Sequence, residues 1–290
     1  MPNYKTHSIH IDKCSDYIDS RIQLDKEDLK VFSFGPDTLV FTDPLTFNNQ
    51  HNTKTSLFFL KLIKKIKETS SLDNKEIISF LYGQLSHFIV DLTFHPYIYY
   101  VTNNLKNNNF INSHLQYELW LDNYFMNKYK IDNKNYYKKD KIDNNDLKHI
   151  IDDIYFNVYK CVLASKKYNI GINIIKSLEN NLRNNETVNY ICNNLNIGDI
   201  KYSNEYSILE EFLNNDRNTW LDPITGEENI ISINEIWNTS ISRYIETIED
   251  VNAYLYDDKE LKNRFILSNL SYDTSLPCET KKEFIYAKKY

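Results

Sequence analysis

Five glycines and six prolines are scattered through 290 residues. A many-stranded sheet needs a tight turn about every 8 to 12 residues and draws on both residue types to make it. The scarcity excludes an immunoglobulin-like sandwich or a small barrel and predicts a chain of helices. The doubly wound nucleotide-binding folds are excluded too, because neither GxGxxG nor GxxxxGK occurs. Apolar residues recur at helical spacing along most of the chain. The pattern predicts helices over Asp16 to Gln23, over Thr53 to Lys67 with Thr53 or Thr55 as cap, over Asn74 to Thr93, Ser113 to Tyr129 and Asp143 to Lys166. Three or four more are expected between Ile172 and Leu213, and one or two over Ile233 to Leu270. The Asn-rich stretches at 103–109 and 193–196 read as loops or helix ends. The tail from Ser271 to Tyr290 reads as irregular, with Pro277 stopping helix formation. The expected class is all-α.

Charge narrows the partners. The chain carries 34 basic and 40 acidic residues, a net charge of −6, so no general attraction to nucleic acid or an anionic membrane is expected. The local run Lys61, Lys64, Lys65 and Lys67 reads as the solvated face of a helix whose other face is Leu57, Leu60, Ile63 and Ile66. No stretch is expected to span a membrane, the richest run, Leu57 to Ile63, being interrupted by Lys61. The start Met1-Pro2-Asn3-Tyr4-Lys5 lacks the apolar core of an export signal. Cys14, Cys161, Cys192 and Cys278 form no CxxC, and reduced thiols in a cytoplasmic protein are expected.

Six of the seven histidines precede residue 115: His7, His10, His51, His87, His95 and His114. His87 has Asp91 four residues on, and His114 has Glu118. On a helix such pairs share a face and suit two ligands of one metal. Chance supplies roughly one such pair (seven times 40/290). Three occur, the third being His149 with Asp153 in a charged segment that reads as solvent-facing. The run His87-Phe88-Ile89-Val90-Asp91-Leu92-Thr93-Phe94-His95 places His, Asp and His at i, i+4 and i+8, a row that drifts by about 40° per step. Apolar residues and one threonine separate them. Burying that row is costly unless a metal, or a hydrogen-bonded His–Asp pair, compensates its polarity. Gly35-Pro36-Asp37 presents an acid on a stiff bend, and His51 is expected in a polar loop before the Thr53 helix.

Taken together, Thr6-His7, Gly35-Pro36-Asp37, His51, Ser86-His87-x-x-x-Asp91-x-x-x-His95-Pro96 and His114-x-x-x-Glu118 resemble the zinc-dependent phospholipase C family in order, residue type and spacing. Gly83-Gln84-Leu85-Ser86-His87 and His95-Pro96-Tyr97 read like that family's wording, and Ser271-Tyr272-Asp273-x-x-Leu276-Pro277-Cys278 like the tail of its clostridial relatives. The resemblance implies a multi-helix bundle with a metal cluster in a cleft, a catalytic core over 1–165 and a helical region over 166–290 packed on it. It implies a first zinc on Asp37, His51, His87 and Asp91, and a second on His95, His114 and Glu118. A third would be shared by Asp91 and His7, so two to three Zn²⁺ are expected, with Asp37 as general base. Secreted members complete the third zinc with an N-terminal Trp, which this chain lacks. Phosphatidylcholine-preferring members carry an aromatic residue after the general base, where this chain has Thr38.

The implied activity is hydrolysis of the glycerol–phosphate bond of a phospholipid, or of a related small phosphoester. Zinc would clamp phosphoryl oxygens and lower the pKa of bound water. The expected partners are that substrate and, transiently, a membrane surface. One alternative is a single-strand nuclease or phosphatase on the same trinuclear architecture. It would need base-stacking aromatics beside the metals, whereas Tyr97, Tyr99, Tyr100 and Trp120 read first as core. Another is a binding protein whose helices metal merely staples. Trp220-x-Asp222-Pro223-x-Thr225-Gly226 reads as a turn with a packing role.

Overall fold

The computed structural model describes residues 3–69, 71–104, 114–131, 136–181 and 212–286. The helices expected between Ile172 and Leu213, most of the two Asn-rich stretches and Cys192 therefore fall wholly or largely outside the described residues. Within them lie ten α-helices: α1 Tyr4–Cys14, α2 Lys26–Phe32, α3 Pro44–Asn52, α4 Thr55–Glu68, α5 Lys75–Asn104, α6 His114–Lys128, α7 Asn145–Tyr159, α8 Ala164–Asn181, α9 Ile233–Tyr256 and α10 Arg264–Leu267. One two-residue hairpin, Trp220–Leu221 with Glu228–Asn229, is the only named sheet there. The class is all-α, as the glycine and proline counts predict.

Helix α5 is the axis. It is nearly apolar all round, apart from a buried polar row, and α2, α9, α1 and α6 pack around it. One core cluster joins its first half to α2, α4, α7 and α8. A second joins Val90, Phe94, Tyr97, Ile98 and Val101 to Tyr117, Leu121 and Phe125 of α6 and Trp237 of α9. Residues 75–102 are long and apolar enough to cross a membrane, and the apolar window is entirely buried within the protein. The richest apolar run is thus this core helix and not Leu57 to Ile63.

Several local expectations change. Asp16 to Gln23 forms only a 3₁₀ turn, Ser15–Tyr17. Beyond it the Asp19 carboxylate accepts from the Arg21 amide and its carbonyl from the Ile22 amide, and this side-chain competition favours a turn over a helix. Helix α4 buries Phe58, Phe59, Leu62, Ile63 and Ile66, while Leu57 is exposed. Its lysines do occupy the wet side. Neither Thr53 nor Thr55 caps it, since Lys54 holds that position in the left-handed region. Asp143 to Lys166 breaks at Lys160, which takes the left-handed C-cap geometry, and α8 starts afresh at Ala164. Helix α3 begins with Pro44 at its first position, and Asp43 caps it by accepting from the Thr46 amide. His51 therefore ends a helix and does not sit in a loop.

Helix α5 continues through Pro96 to Asn104, past the expected end at Thr93. Proline has no amide to give the carbonyl four residues earlier. That carbonyl, Leu92 O, accepts from the Ser275 hydroxyl instead. The tail thus repairs the helix that its own sequence places under strain. Trp220 is core: it packs on Tyr97 and Tyr100 and donates to Ile231 O. Cys14, Cys161 and Cys278 are free thiols.

Candidate metal centre

All eight predicted side chains meet in the middle of the bundle. Helix α5 supplies His87, Asp91 and His95 in one row. Helix α1 brings His7, the 3₁₀ turn Gly35–Leu39 brings Asp37, the last turn of α3 brings His51, and the first turns of α6 bring His114 and Glu118. Three groups have ligand atoms within 4.8 Å of one another: His7, His87 and Asp91; Asp37, His51 and His87; and His95, His114 and Glu118.

The first pair of groups is one cluster. His87 Nε2 lies 3.1 Å from Asp91 Oδ2 and 3.6 Å from Asp37 Oδ1. His51 Nε2 lies 3.4 Å from Asp37 Oδ1 and 3.7 Å from Asp91 Oδ2. Tetrahedral zinc with bonds of about 2.0–2.1 Å holds its ligands about 3.3–3.4 Å apart. These four atoms bracket that spacing. The other carboxylate oxygen, Asp91 Oδ1, faces His7 Nε2 at 3.3 Å, so Asp91 is placed to bridge two centres. In the third group His114 Nε2 meets Glu118 Oε1 at 2.7 Å, and the His95 and His114 rings lie 5.5 Å apart.

Hydrogen bonding sets the direction of the imidazoles. Nδ1 of His87 faces Ser33 O at 3.0 Å, that of His51 faces Phe47 O at 2.8 Å, and that of His95 faces Tyr272 O at 2.6 Å. A carbonyl can only accept, so each Nδ1 carries the proton and each Nε2 is left with its lone pair pointing inward. Buried Asp91 has no hydrogen-bond partner at either carboxylate oxygen, and buried His7, His87 and His95 have none at Nε2. Leaving that many polar atoms unmet in a packed core would cost several kcal/mol (~1–3 each). A cation among them meets the requirement, so the donor set fits zinc.

The charges agree. Burial, and then the charge of His87, lower His7 to about 4. Burial also lowers His95 to about 4 and holds His114 well below its ordinary value. These three are neutral near pH 7, as ligands must be. For His87, burial works downward, but Asp91 and Asp37 outweigh it and raise its pKa. Burial likewise opposes the Asp91 charge, yet His87 and His95 hold that carboxyl well below the usual range.

The close approach of the Asp37 turn to α5 explains a rare glycine. Gly35 has φ +56°, and a Cβ there would meet the His87 ring at 2.3 Å. On the turn's far side Gly171 of α8 lets the Thr38 carbonyl come so close that a Cβ would lie 1.8 Å from it.

The sequence matches the profile of the family described as zinc-dependent phospholipase C over residues 6–164. That is more than half of the chain.

The chain belongs to the zinc-dependent phospholipase C family.

No curated protein and no solved structure matches it. Family membership makes it a zinc-dependent protein of phospholipase type.

Outside the matched span, the tail adds residues that sequence reasoning passed over. The Tyr272 amide donates to His51 O while Tyr272 O accepts from His95. Its fully buried ring packs on His51 and Phe88. Asp273 is set against the same histidines. Burial opposes its charge, but His95, His51 and Lys282 hold it down at about 2. Tyr99, grouped with the core aromatics by sequence, instead stands 4.6 Å from the His114 ring and stacks on Phe284 of the tail. The tail wording was the available signal, but nothing in it reveals which histidines it locks. His10 is buried on Ser86 Oγ at 2.9 Å and belongs to no metal group, and His149 is exposed.

Proposed function

We propose that this chain is a zinc-dependent phosphodiesterase of phospholipase C type, cleaving the glycerol–phosphate bond of a phospholipid or a related phosphodiester with two to three zinc ions. The reading is carried by one observation: Asp37, His51, His87 and Asp91 converge at tetrahedral ligand spacing in a buried centre, where Asp37 Oδ1, His87 Nε2 and both Asp91 oxygens lack a hydrogen bond. Bound zinc would supply Lewis-acid stabilisation of phosphoryl charge and lower the pKa of the attacking water.

The chain's own residues do the rest. Ser33, Phe47 and Tyr272 carbonyls fix three imidazoles, so the binding geometry is preorganised before substrate arrives. Asp37 sits on a turn held rigid by Pro36 and by the close approach of Gly35 to His87. Its carboxylate is assigned the proton of the attacking water, the role of general base. His95, His114 and Glu118 form the second binding half, beside Tyr99. Thr38, after Asp37, offers no aromatic wall for a choline group, so no preference for choline over other head groups is assigned.

The test pairs metal analysis with hydrolysis of a chromogenic phosphocholine ester and a bis-aryl phosphate. Two to three zincs per chain and measurable turnover are expected. His87→Ala should lose both metal and turnover. Asp37→Asn should lower kcat by about 10² to 10⁴. Zinc-loaded protein inert on both esters would sink the reading. Faster turnover of single-stranded DNA than of any ester would replace it with a nuclease.

A further inference from the structure

Five large apolar side chains stand outward in one place. Phe41, Leu45, Val162, Leu163 and Ile170 are between 43% and 70% exposed. They come from two segments that direct contacts bind together. Asp43, between Phe41 and Leu45, accepts from Cys161 Sγ at 3.3 Å and pairs with Lys167 Nζ at 2.7 Å. Thr42 Oγ1 donates to Lys167 O at 3.4 Å, and Gly171, next to Ile170, touches the Thr38 carbonyl. Solvent exposure of scattered apolar residues is ordinary, whereas a contiguous group marks a contact surface. Leu163 adds a second sign. It takes φ +55°, a left-handed conformation that a leucine adopts only under strain, and the strained side chain points outward.

Two exposed cations flank the patch. Residues 154–178 contain Lys160, Lys166, Lys167 and Lys176 and no acid of their own. Lys167 pairs with Asp43, Lys176 with Asp140, and Asp152 accepts from Ser165, so the cations left for a partner are Lys160 and Lys166. Residues 38–67 contain a single acid, Asp43, which Lys167 neutralises. Lys160 and Lys166 are exposed beside the apolar group. We infer that the Phe41–Leu45 and Val162–Ile170 surface docks on an anionic phospholipid bilayer, its apolar tips entering the headgroup–acyl boundary and its lysines staying at headgroup level. Apolar tips flanked by exposed cations, here Lys160 and Lys166, are the pattern such an interface selects. The position serves the site. Asp37 lies four residues before Phe41, and His51 closes the helix that Pro44 and Leu45 open, so one segment, 37–51, carries both. The inference rests on the phospholipase reading for its substrate, and its test separates the two.

The test is flotation of the full chain with vesicles of phosphatidylcholine alone and of phosphatidylcholine with phosphatidylglycerol. The wild type should float with the anionic vesicles, and high salt should weaken it. The double variant Leu45→Ser with Leu163→Asn, the second exchange placing a residue that tolerates positive φ, should lose at least about tenfold in partition. Lys160→Gln with Lys166→Gln should lose about tenfold, on anionic vesicles only. Hydrolysis of a soluble ester should be unchanged in both. A wild type that ignores anionic vesicles, or variants that float like it, overturns the inference. So does a concentration-dependent dimer that the leucine pair abolishes, since a second copy would then cover this face. A protein that floats but hydrolyses no ester removes the proposed activity and leaves the docking surface standing.

Discussion

Pro96 occupies the interior of α5, where a proline removes one backbone hydrogen bond and normally kinks or ends the helix. Here the freed carbonyl of Leu92 is met by Ser275, and the exchange can be tested as a cycle. Ser275→Ala leaves a buried carbonyl unmet and should cost about 1–3 kcal/mol. Made on top of Pro96→Ala, the same change should cost far less, because an alanine in place of the proline returns the missing amide. Denaturant titration of the four proteins measures the coupling. Equal costs in both backgrounds would show that Ser275 acts through something other than that carbonyl. Gly35 gives a second residue-scale expectation. Gly35→Ala combines a positive φ with a Cβ driven into the His87 ring, so a loss of about 2 kcal/mol or more is expected. Zinc content should fall with it, because His87 must move. A variant that keeps its zinc and its melting temperature would refute the close approach.

At the scale of elements, helix α1 shows how the site depends on distant caps. Asn3 makes no side-chain cap. Asp122 of α6 accepts from the Lys5 and Thr6 amides and the Thr6 hydroxyl instead. Asp122 follows Glu118 by one helical turn, so α6 places a candidate metal-binding carboxylate with one residue and anchors the helix of His7 with another. Asp122→Ala should cost about 1–2 kcal/mol, as loss of a helix cap does. It should also reduce metal bound at His7 and Asp91 before it affects His95. Metal titration followed by melting would reveal this, and an unchanged stoichiometry would count against the coupling. The same helix explains what sequence could and could not disclose. The His87, Asp91, His95 row was legible because α5 is apolar between its polar positions, and the pair His114, Glu118 because i and i+4 share a face. Helix α1 was not, since it buries Lys5, Thr6, His7, Ser8 and His10 and has no apolar stripe to count. Helix α3 buries only Thr46, Gln50 and His51. The Tyr272 lock joins residues 177 positions apart through a backbone carbonyl, and a carbonyl has no residue type to read.

For the whole molecule, the buried histidines make stability a function of pH and metal together. His7 and His95 are lowered to about 4 and His10 to about 3, in each case chiefly by burial. Each has a folded pKa below its unfolded value near 6.5, so the unfolded chain binds more protons between the two. Their contribution is complete above about pH 6.5 and is lost as pH falls towards 4 and then 3, at roughly 1.4 kcal/mol per unit for each group. Asp91 acts in the same direction at still lower pH, its contribution present above about 3.9. His87 opposes them: its raised pKa favours the folded state in acid, and that share fades as pH rises. With His114 also held well below its ordinary value by burial, four lowered histidines stand against one raised, so metal-free protein should lose stability from pH 6.5 downward. Zinc binds the folded state and adds stability through mass action, but it must compete with protons at the ligand histidines. The gap in melting temperature between zinc-loaded and chelated protein should therefore be wide at pH 7.5 and close as pH approaches 4. His10 separates packing from metal. His10→Gln should flatten part of the acid slope of the chelated protein and leave zinc content unchanged, because His10 joins no ligand group. A chelated protein whose melting temperature is constant between pH 7 and 4, or a His10→Gln variant that loses zinc, would contradict this division of the buried histidines.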